Sequence, residues 1–148
     1  MSVSYDIFTN AFLSKVTEYD FIPMDPYERN TVIDGYMKRA CAQFNRLCEY
    51  DLTDYDDVVR EFNVDIPEED IDEIADIVSE GMLAQWMRPY FYRAENLENR
   101  LSTSDLSTYS PAELLYRITE AYKTVKRDFS NMMKEYSYNH GDLTELWL

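Results

Sequence analysis

Glycine, proline, cysteine and histidine are all scarce in this chain. Its 148 residues include three Gly, five Pro, two Cys and one His. Three glycines leave no glycine-rich loop to cradle a phosphate, and neither GxGxxG nor a GKS/GKT string occurs. So little turn chemistry also argues against a many-stranded β fold. No apolar run approaches the ~18–20 residues of a membrane span. Met1-Ser2-Val3-Ser4-Tyr5-Asp6 holds no basic segment leading into an apolar stretch, which predicts a chain kept in the cytoplasm. Cys41 and Cys48 lie seven apart in a predicted helix, about 10.5 Å along its axis, too far for a disulfide. They read as small buried hydrophobes.

No catalytic constellation is present. His140, the only histidine, falls at a predicted helix end, where a cationic imidazole suits the helix dipole. No Cys/His set has zinc spacing. Asp51, Asp54, Asp56 and Asp57 lack the glycine and distal glutamate of a calcium loop. The residues point to no enzyme, no cofactor and no metal.

What the chain does have is apolar surface and negative charge. Hydrophobic residues make up 45% and aromatics 15%, enough for a packed core. The net charge is -15, and it is concentrated. Residues 49–80 hold 14 acids and a single base, Arg60, while the rest holds 15 acids and 13 bases. Such a surface is unsuited to a nucleic-acid backbone, which needs clustered Lys and Arg.

Periodicity predicts an all-α helical bundle of four to five helices over residues 1–140, followed by a C-terminal docking arm over 141–148. The first helix runs from Tyr5 to Thr17, with Ser4 as N-cap and Phe8, Phe12 and Val16 on one side. The second starts at Asp25-Pro26-Tyr27-Glu28, a strong start signal, and carries its apolar arc through Cys48. Residues 49–66 read as a turn and a short helix. A third helix from Pro67 to Met87 buries Ile71, Ile74, Ala75, Val78, Met82 and Trp86. It turns Glu69, Glu73, Asp76 and Glu80 outward as a carboxylate stripe. Pro89 is expected to kink or end it. The last helix opens on the capping box Ser110-Pro111-Ala112-Glu113 and runs to His140, with Gly141 suited to the position after its end. Its apolar arc runs from Leu114 through Ala121, Tyr122 and Phe129 to Tyr136, with Arg117, Lys123, Lys126, Arg127 and Lys134 outside it. The chain then finishes in Asp142-Leu143-Thr144-Glu145-Leu146-Trp147-Leu148. Leu143, Leu146, Trp147 and Leu148 form an apolar segment suited to a groove on another chain.

Several strings carry a resemblance. These are Phe62-Asn63-Val64-Asp65, Leu83-Ala84-Gln85-Trp86-Met87-Arg88-Pro89-Tyr90 and Asn96-Leu97-Glu98-Asn99-Arg100-Leu101-Ser102. Tyr109-Ser110-Pro111-Ala112-Glu113-Leu114-Leu115 and Tyr136-Ser137-Tyr138-Asn139-His140-Gly141-Asp142-Leu143 complete the set. Over residues 44–143 the chain resembles small head–tail connector (adaptor, or head-completion) proteins of tailed bacteriophages of Gram-positive hosts. The resemblance implies a structural virion protein without catalytic or cofactor residues. It implies a ring beneath the portal, typically of twelve copies, made in the host cytoplasm and placed at the head–tail interface. Its partners would be the portal protein, other neck or tail-completion proteins and its own copies, with DNA passing through the lumen unbound. The Glu69, Glu73, Asp76, Glu80 stripe or the Asp51–Asp57 cluster would face the channel or a basic neighbour. The alternative is an acidic helical inhibitor or DNA mimic that binds a basic protein.

Overall fold

The computed structural model describes residues 2–16, 25–101 and 109–140, without the side chains of 26, 90, 93–101, 109–115 and 118. Four helices dominate: α1 (Tyr5–Lys15), α2 (Pro26–Phe44), α3 (Glu68–Leu101) and α4 (Tyr109–His140). The expected helical bundle is present. The arm, with Leu143, Leu146, Trp147 and Leu148, lies outside the described residues, as do 17–24 and the expected loop 102–108.

The four helices overlap the segments that periodicity marks, and Asp25 is the N-cap of α2 although its side chain makes no capping hydrogen bond. Ser4 is the N-cap of α1, its Oγ accepting the Asp6 N–H at 3.2 Å, and Phe8 and Phe12 are fully buried. Ile33, Met37, Ala40, Cys41 and Phe44 line the inner face of α2. That helix stops at Phe44 rather than Cys48. Asn45 turns the chain, its Oδ1 accepting the Leu52 N–H at 2.8 Å, which seats Leu52 in the core. Leu47 is consequently exposed, and the two cysteines are free thiols on different segments.

Two expectations are corrected. Residues 55–62 form a hairpin, not a helix. Strands β2 (Tyr55–Asp56) and β3 (Glu61–Phe62) pair antiparallel, and β1 (Val3–Ser4) pairs on the other side of β3. The cause is turn chemistry supplied by the acids themselves. Asp51 Oδ1 accepts the Thr53 N–H at 3.0 Å, and Asp56 Oδ1 accepts the Val58 N–H at 2.9 Å. Asp54 accepts from Asn63 through both its backbone carbonyl and its side chain. Second, of the two outcomes expected of Pro89, an end to the helix does not occur: α3 continues to Leu101. An interior proline costs about 3 kcal/mol. Packing offsets this, because α3 lies against α4 more extensively than any other two elements meet. Phe91, two residues beyond the proline, stacks on Tyr122 with ring centres 4.6 Å apart.

The core runs from an aromatic cluster to a tight helix crossing. Phe62 lies 5.0 Å from the Tyr5 ring and 5.2 Å from Phe8, and Phe44 meets Tyr136 at 5.0 Å. Between them α2, α3 and α4 converge on Gly81. A Cβ there would sit 2.6 Å from Phe129 Cζ and 2.8 Å from Ala40 Cβ. Within α4, Phe129 and Tyr136 are buried, whereas Ala121, expected on the apolar arc, is exposed.

The two helical glycines should respond oppositely to alanine. Gly35 has open space around its Cβ position, so Gly35→Ala should stabilise by up to about 1 kcal/mol. Gly81→Ala makes the same propensity gain but overpacks the crossing, at a cost of about 1–3 kcal/mol. Urea denaturation should show a net loss for Gly81→Ala and a gain for Gly35→Ala. Equal gains at both would contradict the tight crossing.

Candidate functional site

The hairpin is the most elaborately braced surface feature, and Arg60 braces it. Its guanidinium donates to both oxygens of Asp34 on α2, at 2.8 Å from Nε and 2.8 Å from Nη2. Nη1 reaches Asp6 on α1 at 3.0 Å. The same cation lies over the Tyr5 ring, 5.7 Å from its centre. The Arg60 carbonyl accepts the Tyr5 N–H at 3.0 Å. Its backbone is left-handed, with φ of 54°, which favours glycine or asparagine over arginine. Asp34 is 9% exposed, so its charge needs this partner.

Beside it, Asp57 accepts from the Tyr5 hydroxyl at 2.9 Å and pairs with Lys38 at 2.8 Å. The Lys38 ammonium holds the Asp57 carboxyl below the usual carboxylate range. Burial, then the hydrogen bond to Asp57, pushes the Tyr5 phenol far up. A cleft of about 310 Å³ opens between these groups and Tyr27, Asn30 and Thr31. At the tip, Val58 and Val59 point into solvent, 92% and 58% exposed. Two bare valines thus stand at the tip of a turn braced by Arg60 and Asp57.

The expected carboxylate stripe is only partly free. Glu69 is exposed. Glu73 Oε2 lies 3.1 Å from His140 Nε2. Lys15, at the end of α1, pairs with Asp76 at 2.9 Å and Glu80 at 2.8 Å, and the Glu80 side chain is 16% exposed. Glu69, Glu73 and Asp76 face outward as expected, and Glu80 is half-buried beside Lys15. The wheel places the four residues on one face but carries no information on α1 crossing it. His140 stacks on Tyr136 at 4.3 Å, between Glu73 and Glu49. The Tyr136 hydroxyl accepts the Glu49 N–H at 3.4 Å, tying the end of α4 to the loop after α2.

The bracing of Val58–Val59 is absent from any local pattern. One signal was available: Arg60 is the sole base among 14 acids. Among the described residues no His/Cys/Asp/Glu group could hold a metal, and no helix is long and apolar enough to cross a membrane. Comparison with protein-family models, curated proteins and solved structures gives no match.

Arg60→Met should lower the unfolding free energy by about 2–4 kcal/mol, because it strands the Asp34 charge. Adding Asp34→Asn should recover part of that loss, a coupling measurable as a double-mutant cycle in urea. Full additivity would mean the pair does not act as a unit.

Stability should also fall at alkaline pH. Burial raises the pKa of Tyr5, Cys41 and Tyr136 in the folded state. Unfolded tyrosine ionises near ~10 and cysteine near ~8.5. Above those values the unfolded chain binds fewer protons than the folded one, so each rise in pH favours unfolding. The urea midpoint should drop between roughly pH 9 and 11. Tyr5→Phe should flatten that drop, and an unchanged slope would remove Tyr5 from this role.

Proposed function

We propose that the chain is a structural assembly protein: a head–tail connector subunit of a phage neck. In this reading its copies form a ring beneath the portal, extend the DNA channel and join head to tail. The observation that carries the reading is the Val58–Val59 tip. A turn held by two carboxylates, a backbone hydrogen bond and a cation over an aromatic ring presents apolar side chains to solvent. Preorganised apolar contacts of this kind lose little entropy on docking. The exposed Tyr27, Tyr116 and Tyr138 add the amphipathic rings that protein interfaces favour. The acids that remain exposed on α3, Glu69 and Asp72 among them, would give a ring of copies a negative zone that repels the DNA backbone.

The inhibitor or DNA-mimic alternative needs a row of free carboxylates. Glu73, Asp76 and Glu80 already face His140 and Lys15, which weakens it.

Mixing the purified chain with the portal ring of the same phage tests the proposal. Co-sedimentation is expected. Val58→Asp with Val59→Asp should abolish it while leaving the circular dichroism and thermal midpoint unchanged, since both side chains lie in solvent. A wild-type chain that binds neither the portal nor other neck proteins would sink the idea.

A further inference from the structure

A second cleft lies where α2 meets α3 and α4. Its volume is about 190 Å³, and its lining includes Gln43, Gln85, Arg88, Tyr92, Tyr122 and Lys126. In a chain of net charge -15, its two charged groups are both cations. The Arg88 guanidinium lies 5.5 Å from the Tyr92 ring centre, and the Lys126 ammonium 5.9 Å from that of Tyr122. Among the described residues no carboxylate pairs with either, although acids outnumber bases two to one. A strip of α4 leads from this cleft to the helix end. Lys126, Ser130, Met133, Ser137 and His140 are spaced four, three, four and three residues apart, so they share one face. The three between are half-buried, and two of them are small serines. Cations on aromatic walls at the end of such a track suit a segment carrying both carboxylates and apolar side chains.

We propose that residues 141–148 fold back along α4 and seat Glu145 and Trp147 in this cleft of their own chain. The segment carries Asp142 and Glu145 among Leu143, Leu146 and Trp147, so its charge and its apolar groups both match. Its reach fits as well. Lys126 lies fourteen residues back from His140, roughly 21 Å along the helix. The main chain at Glu145, five residues past His140, extends up to roughly 18 Å, and the Glu145 and Lys126 side chains span the rest. Trp147, up to roughly 25 Å out, comes level with Tyr122, roughly 27 Å back. A second copy offers the same residues but competes poorly. A segment tethered this closely meets its own cleft at an effective concentration on the order of millimolar. A second copy arrives only at its bulk concentration, against the repulsion between two chains of charge -15. The contact goes beyond the neck assignment and does not rest on it. A partner that takes up the segment must first displace it from this cleft.

Disulfide trapping in the full-length chain tests it, with Cys48→Ser in every variant so that only the buried Cys41 remains. Thr144, up to roughly 14 Å out, comes level with Ser130, roughly 15 Å back from His140. Ser130→Cys with Thr144→Cys should therefore oxidise within one chain. Asn131→Cys with Thr144→Cys has the same reach but lies roughly 100° round the helix. It should oxidise at least about fivefold more slowly. Reversing the cleft with Arg88→Glu and Lys126→Glu should remove that preference. So should Asp142→Asn with Glu145→Gln, which leaves every described contact of the fold untouched. Equal rates at the two positions, or a preference indifferent to both sets of changes, overturn the proposal. Covalent dimers in place of the internal disulfide hand the cleft to a second copy and overturn it too. An internal disulfide in a chain that ignores the portal upholds this contact and removes the neck assignment.

Discussion

Arg60 ties together the parts of the molecule that precede α3. One guanidinium joins α1 through Asp6, α2 through Asp34 and the hairpin through its own backbone. Its carbonyl fixes the start of α1 by accepting the Tyr5 N–H, so β1, α1 and β3 share one anchor. A non-glycine residue in left-handed geometry costs about 1–2 kcal/mol. Glycine would avoid that cost, but it has no side chain to neutralise Asp34. The strained backbone and the ion pair are consequently two parts of one device. Both ends of the turn are held, Asp57 by Tyr5 and Lys38 and Arg60 by Asp34 and Asp6, and Val58 and Val59 between them stand in solvent.

The acid-rich segment is doing local structural work as well as carrying charge. Asp51, Asp54 and Asp56 shape turns, Asp57 and Asp34 meet cations, and Asp70 accepts the Tyr50 hydroxyl at 2.7 Å, pushing that phenol up to about 12. Asp76 and Glu80 share Lys15. Within the non-helical insert between α2 and α3, Asp51, Asp54, Asp56 and Asp57 all make such local contacts, and Asp70, Asp76 and Glu80 make theirs from α3. Solubility and any repulsion of DNA fall to the smaller set that remains exposed.

The helices were legible because each buries one arc, and 3.6-residue periodicity survives wherever three or four turns face a core. Phe8 and Phe12, Ile33 through Phe44, and Ile74 through Met82 all fall where the wheel puts them. The hairpin was not legible, since strands of two residues are too short to alternate and its Asp-rich turn mimics a solvated loop. Pro89 misled because helix-breaking is a local cost, whereas the Phe91–Tyr122 stack that offsets it is a tertiary contact. The same limit hid the candidate surfaces. Val58–Val59 becomes a braced, exposed tip only through the pairing of Arg60 with Asp34. The Gln85 cleft draws on three helices whose register no single segment encodes. The carboxylate stripe holds its phase, with Glu69, Glu73 and Asp76 exposed, and only Glu80 is half-buried, where Lys15 of α1 meets it.

Charge also sets how copies of such a chain meet one another. Each carries -15, so copies repel over the whole surface. At physiological salt that repulsion is screened beyond about 8 Å. The burial of apolar side chains such as Val58 and Val59 is non-directional and carries no charge. Added salt therefore weakens the repulsion without weakening an apolar contact, so the balance between the two shifts with ionic strength.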